Sequence, residues 1–250
     1  RKSVALIRCR VDPMPRSRYT ALVSDCSNPL KSVRFLPATR PAKGPAAQLI
    51  HVAAENRRLR LFAVVQFPGS NDDRDMRFAF KAVLGAEAQL VWHRDDELPP
   101  GTEAVLLPGG FSYGDYLRTG AMARFSPLID AVIRFADAGG PVLGTCNGFQ
   151  ILCESGLLPG VLIRNHHLHF VCDQVHVRVE SSRAPFTSRA QAGEVLQIPI
   201  KHGEGAYTVS SDELSKMETE GQVLLRYCDA DGQVSEAANR INLETGADSL

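Results

Sequence analysis

Gly144-Thr145-Cys146-Asn147-Gly148 is the segment whose residue types and spacing bear most directly on chemistry. A cysteine in the pattern G-x-C-x-G suits a nucleophile on a strained strand-to-helix turn, where the glycines relieve crowding while the side chain projects above a sheet. A helix that begins directly after the turn aims unpaired N–H groups and the positive end of its dipole at the thiol. That favours the thiolate and any oxyanion formed beside it. The N–H of Asn147 directly follows the nucleophile and is the natural oxyanion donor. The pentapeptide alone also fits an inert cysteine, because free cysteines pack as small hydrophobes.

The flanking elements therefore matter. Pro141–Thr145 reads as a strand running into the elbow, and Gly148–Ser155 as a helix leaving it, closed by Gly156. Upstream, Leu61–Phe67 is a short apolar run stopped by Pro68-Gly69 and reads as a buried strand. Asp72–Leu84 carries Met76, Phe80, Val83 and Leu84 at helical spacing with acids in its first turn. Ala86–Trp92 and Glu103–Leu107 read as further strands, the latter stopped by Pro108-Gly109-Gly110. Met122–Ala138 reads as one helix with a broad apolar face from Phe125 to Phe135. This alternation predicts an α/β fold, a doubly wound and mostly parallel sheet flanked by helices. After residue 165 the pattern changes. Phe170–Glu180 alternates like a strand wet on one side, and Val195–Ile200 and Val223–Tyr227 are short strands, so antiparallel pairing is expected there.

The six cysteines are scattered, with no CxxC pair and no secretory signal, which points to reduced thiols in a cytoplasm. Cys153, Cys172 and Cys228 lack the flanks of an elbow and read as packing residues. The clustered His166, His167 and His169 invite a zinc reading, but neighbours in an extended segment face opposite ways and no cysteine or carboxylate completes the set. A loop near a pocket, with no metal, is expected. No apolar run reaches the ~18–20 residues a bilayer span needs, so no membrane association is expected.

Formal charge sums to zero over 250 residues but is unevenly placed. Residues 1–60 hold 13 Lys/Arg against 3 Asp/Glu, and the rest holds 15 against 25. The basic, proline-rich 1–60 is expected to be a disordered or spurious extension. A nucleic-acid arm or a transit peptide would suit its charge, but no aromatic interleaving supports nucleic-acid binding. Residues 61–250 form the domain.

Five segments occur in order within that domain: Val64–Asn71 (VVQFPGSN), Pro108–Arg118 (PGGFSYGDYLR), Gly144–Gln150 (GTCNGFQ), Gly156–Gly160 (GLLPG) and His202–Tyr207 (HGEGAY). Together they resemble the glutaminase subunits of phosphoribosylformylglycinamidine synthases, a family of class I glutamine amidotransferases with a flavodoxin-like fold in purine biosynthesis. The resemblance implies that Cys146 attacks the side-chain amide of glutamine, releasing ammonia, and that water then hydrolyses a γ-glutamyl thioester. It places Gly109 and Gly110 where the second oxyanion donor lies, beside Asn147, and Gln150 near bound glutamine. It puts the Phe111–Arg118 loop at the mouth of the site and at a contact with a synthetase subunit. The implied partners are that synthetase and a small accessory subunit. No cofactor is implied on this subunit; ATP and magnesium belong to the synthetase, which uses the ammonia to amidate formylglycinamide ribonucleotide.

One part of the family pattern is missing. A cysteine nucleophile needs a base, and that base needs an orienting carboxylate. The family takes both from a Pro-His-Pro-Glu motif near the C-terminus, and none of the seven histidines here precedes Pro-Glu. The expectation is a C-terminally truncated glutaminase, with a catalytically incompetent glutamine-binding or synthetase-docking protein as the alternative. His202 is the one other candidate base, on a glycine-flanked loop, and the resemblance assigns it to a different histidine of the family.

Overall fold

Strand formation follows the short β-branched and aliphatic runs, and the parallel pairing follows from the helices between them. The computed structural model describes the backbone of residues 18–22 and the chain over 61–234. Its main sheet has five strands: β1 (Arg18–Leu22), β2 (Leu61–Gln66), β3 (Glu87–Trp92), β4 (Thr102–Leu107) and β5 (Pro141–Thr145). Their order across the sheet is β1-β5-β4-β2-β3, and all the pairings are parallel.

Alternating residues of each strand feed opposite faces, as the two-residue period of a strand requires. Ala63, Val65 and Val105 face one layer, where they pack with Leu128, Ile129 and Val132 of α2 (Pro127–Asp137) and Ile151 and Leu152 of α3 (Asn147–Glu154). Val64, Ala88, Leu106 and Leu143 face the other layer, with Met76 of α1 (Asp73–Phe78) and Phe80 packed against them. Helices thus cover both faces, and the doubly wound architecture is confirmed. Each fully buried aliphatic side chain here, such as Ile129 or Leu152, contributes about 1.5–3 kcal/mol.

Three elements differ from the sequence expectation. The helix expected over Met122–Ala138 is broken: Ala123–Phe125 is a short 3₁₀ turn, Ser126 is extended at ψ 134°, and α2 restarts at Pro127. Proline disfavours a helical residue before it, and at the first helical position its missing N–H is no loss. The break turns Phe125 out to solvent, away from the apolar face assigned to it. The helix after Asp72 widens into a π-helical stretch over Ala79–Val83. Arg18–Leu22, inside the extension expected to be disordered, pairs with β5 along its whole length. Tyr19 and Thr20 are residue types favoured in strands. The rest of the expectation for 1–60 lies outside the described residues.

Beyond the main sheet, β7 (Val171–Val179) lies between β8 (Val195–His202) and β10 (Leu225–Cys228), both antiparallel to it. A two-stranded antiparallel pair joins β6 (Val161–Ile163) to β9 (Ala206–Thr208). The expected antiparallel strands after residue 165 are therefore present. Helix α4 (Ser211–Thr219) has no counterpart in the sequence reading, although its signal is there: the Ser210 hydroxyl accepts from the N–H of Glu213, in the S-x-x-E spacing of a helix start. Cys153 and Cys228 are buried as packing residues, whereas Cys172 is exposed on β7, a correction to the packing role expected for it.

Candidate active site

Strand β5 delivers Cys146 directly onto α3. The cysteine has φ 50° and ψ −111°, a conformation most residues avoid, so the turn is a strained elbow. Two close approaches explain why its neighbours are glycines. A Cβ on Gly144 would lie 2.5 Å from the carbonyl oxygen of Gly148, and one on Gly148 would lie 2.0 Å from that of Leu107. Only bare backbone lets the start of α3 settle this deeply on β4.

The elbow turns the thiol toward three backbone groups. The N–H groups of Asn147 and Gly110 both act to favour negative charge on the sulfur. Cys146 Sγ in turn donates to the carbonyl of Lys201, 3.4 Å away at the end of β8. Gly109 is so close that a Cβ there would stand 3.3 Å from Cys146 Cβ. The loop after β4 and the first residue of α3 are thus brought together at the sulfur.

Electrostatics here depart from the simple expectation of a dipole-favoured thiolate. Burial raises the Cys146 thiol above its ordinary value, and the carboxylate of Asp72 adds to that. Lys201 and the N–H groups of Asn147 and Gly110 pull the other way. Burial outweighs them, so the thiol is neutral near pH 7 and must lose its proton to react.

Gln150 is fully engaged. Its side-chain oxygen accepts from Asn147 Nδ2 at 2.8 Å, and its Nε2 donates to the carbonyl of Glu204 at 2.8 Å. Asn147 Oδ1 accepts from the N–H of Ser112 at 3.1 Å, and Glu204 Oε2 accepts from Thr119 Oγ1 at 2.7 Å. Three segments distant in sequence are thereby tied into one wall. The wall carries the 111–119 loop, where Tyr113 at φ 56° and Asp115 at φ 51° are left-handed without being glycine. Asp115 is pushed up to about 6, first by burial and then by Glu204. Outward, the loop and the turn after it expose Phe111, Tyr116, Leu117 and Phe125, and Arg118 clasps Glu154 of α3 with Nη2 2.8 Å from Oε2.

The histidines fall elsewhere. His202 Nδ1 bonds to Asn165 Oδ1 at 3.0 Å, and burial followed by His167 pushes the ring down to about 4. Because neighbouring side chains of a strand point to opposite faces, the turn of Lys201 toward Asp72 sends His202 away from that partner. His167 and His169 stack at 5.6 Å, and the N–H of His169 donates to His167 Nδ1. Among the described residues no group of three His, Cys, Asp or Glu side chains could hold a metal ion. Nor is any helix among them long and apolar enough to cross a membrane.

Sequence reading missed two charged residues at the site. Asp72 immediately precedes α1, and its Oδ1 lies 3.7 Å from Lys201 Nζ. A Cβ on Gly109 would fall 2.3 Å from the other oxygen of Asp72. The only signals were a charged residue following the PGSN turn and a lysine preceding HGEGAY, and neither indicates that the two meet across the elbow.

Residues 60–243 match the family of CobB/CobQ-like glutamine amidotransferase domains. Among curated proteins, the chain is 56% identical over 177 residues to phosphoribosylformylglycinamidine synthase subunit PurQ of Rhodopseudomonas palustris strain BisB18, covering 71% of this chain and 76% of that protein. It is 56% identical over 178 residues to the subunit of the same name from Thermomicrobium roseum, covering 71% and 75%. Among solved structures, it resembles a chain of PurLQS from Thermotoga maritima with a TM-score of 0.62 and 37% identity, covering 74% of this chain and 80% of that one.

Proposed function

Since the chain belongs to the PurQ family of glutamine amidotransferase subunits of phosphoribosylformylglycinamidine synthase, we propose that it carries the glutamine-cleaving site of such an enzyme, with Cys146 as nucleophile. One observation carries the reading: a cysteine on a strained elbow whose sulfur meets the N–H groups of Asn147 and Gly110. Those two donors converge where an amide oxygen would become an oxyanion under attack.

In this scheme Sγ attacks the side-chain carbonyl carbon of glutamine. Gly110 and Asn147 hold the resulting oxyanion, with Gly109 leaving the room that the approach needs. Collapse breaks the C–N bond, and the leaving nitrogen takes up the proton that the thiol gave to a base. Ammonia departs and a γ-glutamyl thioester remains, which water hydrolyses to glutamate. Gln150 borders the pocket as a brace, because both ends of its amide are already bonded. His202 is a weak base for the thiol proton, because burial pushes its ring down to about 4 and its Nδ1 is already bonded to Asn165.

Ammonia passes to a synthetase subunit, which consumes ATP with magnesium to amidate formylglycinamide ribonucleotide; this subunit itself needs no cofactor. The exposed side chains of Phe111, Tyr116, Leu117 and Phe125 form the docking face for that subunit, and an accessory subunit completes the assembly. The thiols are reduced in a cytoplasmic setting.

The test uses a diazoketone analogue of glutamine as electrophile. Mass spectrometry should find it on Cys146, with glutamine protecting that residue and asparagine not. Labelling spread equally over the exposed Cys172, or no protection by glutamine, overturns the reading.

A further inference from the structure

A thiol raised above its ordinary range needs something nearby that keeps ionisation within reach. The N–H groups of Asn147 and Gly110 provide part of this. The remainder lies in the charges around the sulfur. Among the described residues, the charged groups acting on the thiol are Asp72, which precedes α1, and Lys201, at the end of β8; Asp73 and Asp75 act in turn on Asp72.

Their geometry is unusual for a surface ion pair. Each side chain has only 17% of its surface exposed, with Lys201 Nζ 3.7 Å from Asp72 Oδ1. The second carboxylate oxygen, Oδ2, is buried without a hydrogen-bond partner among the described residues. It borders the Cβ position of Gly109, 2.3 Å away, and Cys146 Cβ lies 3.3 Å from that same position. Lys201 is fixed to the nucleophile from the other direction, because its own carbonyl accepts the hydrogen bond from Cys146 Sγ. An unpaired carboxylate in this position would oppose any negative charge on the sulfur. A lysine placed to neutralise it is therefore more than packing.

We propose that Lys201 is a positioning residue for the nucleophile: held by Asp72 beside the elbow, its ammonium offsets that carboxylate and favours the thiolate of Cys146. Asp72 has the opposite effect on the sulfur while keeping Lys201 in place. The pair sets the pH at which the cysteine becomes reactive, independently of whichever group accepts the thiol proton. The inference deepens the glutaminase reading and rests on it only for the meaning of that reactivity.

The test measures carbamidomethylation of Cys146 in the full chain by iodoacetamide, followed by mass spectrometry of the Cys146 peptide from pH 6 to 10. Iodoacetamide reports thiolate directly and needs no glutamine site, so failure here is distinct from failure of glutamine to protect Cys146. Lys201→Met should slow the reaction about tenfold at pH 8 and move the pH profile up by about one unit. Asp72→Asn, which keeps the side-chain shape, should accelerate it about tenfold and move the profile down. The double variant should return near the parent rate, and Lys201→Arg should preserve it. A structural role predicts both single variants shifting the same way, or neither moving by more than twofold; either result overturns the proposal. If Lys201→Met does not fold, the direction of the Asp72→Asn shift decides the question alone.

Discussion

Replacing Gly148 by alanine tests how closely the elbow depends on bare backbone. The added Cβ would stand 2.0 Å from the Leu107 carbonyl oxygen, 2.6 Å from its carbon and 2.9 Å from its Cβ, whereas ordinary contact begins near 3.4 Å. Relief therefore requires α3 and β4 to separate by about 1.4 Å, the difference between 3.4 and 2.0 Å. Overpacking of this kind costs about 1–3 kcal/mol, offset by about 1 kcal/mol gained when alanine replaces glycine inside a helix. The net loss of about 0–2 kcal/mol corresponds to a fall of at most roughly 8 °C in Tm for a domain of this size. The larger effect should be on chemistry. The separation carries Asn147 N–H away from Gly110 N–H, and misplacements of about 1 Å can cost ~100-fold in rate. Labelling of Cys146 by the diazoketone should fall at least tenfold. Gly156→Ala is the control: no atom lies within 4 Å of its Cβ position, but φ is +72°, so strain alone costs about 1–2 kcal/mol. It should melt similarly and label Cys146 within twofold of the parent. If Gly148→Ala labels at the parent rate, or Gly156→Ala slows as much, the steric account of the elbow is wrong.

His202 is pushed down to about 4 from 6.5, so between those pH values the unfolded chain binds more protons than the folded one. Its contribution to stability is present above pH 6.5 and is lost as pH falls toward 4, a difference of about 3 kcal/mol. Urea midpoints at pH 7 and 4.5 should show a steeper acid loss for the parent than for His202→Gln; equal losses contradict this. Asp115 behaves oppositely, because its carboxyl is raised to about 6 and its contribution is lost as pH rises through that value. Asp115→Asn, which tolerates the left-handed backbone, should stabilise by about 1 kcal/mol at pH 8 once solvent screening is allowed for, and not at pH 3.5. A thermal melt showing no gain at pH 8 would remove the argument. Tyr116→Ala combined with Phe125→Ala removes side chains that are 88% and 78% exposed, so Tm should hardly change. Binding to the synthetase subunit should nevertheless weaken at least tenfold by calorimetric titration, as expected when aromatic anchors are lost; unchanged affinity would place the docking face elsewhere.

Legibility in the sequence followed the range of the interactions. Strands β2 to β5 of the parallel sheet and the elbow are local patterns, apolar runs bounded by glycine and proline, and the structure has them within a residue or two. Ser126-Pro127 was also local, but the apolar spacing on both sides ran through it and concealed the break. What the sequence could not show was pairing across distance. Asp72 meets Lys201 and Gln150 meets Glu204 only because α1, α3 and the end of β8 converge on the carboxyl ends of β2, β4 and β5. The neutral state of the thiol was hidden for the same reason, since its main causes are burial and a carboxylate more than seventy residues away in the chain.

The hydrogen bonds from Ser112 through Asn147, Gln150 and Glu204 to Thr119 return to the loop in which they begin, so they close a ring. A closed ring fails as a unit, and its members cannot be assigned separate energies. Loss of the Asn147 or Gln150 side chain leaves its neighbours with unmet polar atoms in a buried wall, so the first of these substitutions should carry most of the damage and the second should add little. Sequence variation in this wall should accordingly be epistatic: a change at Gln150 would be tolerated only alongside a compensating change at Asn147 or in the 112–119 loop.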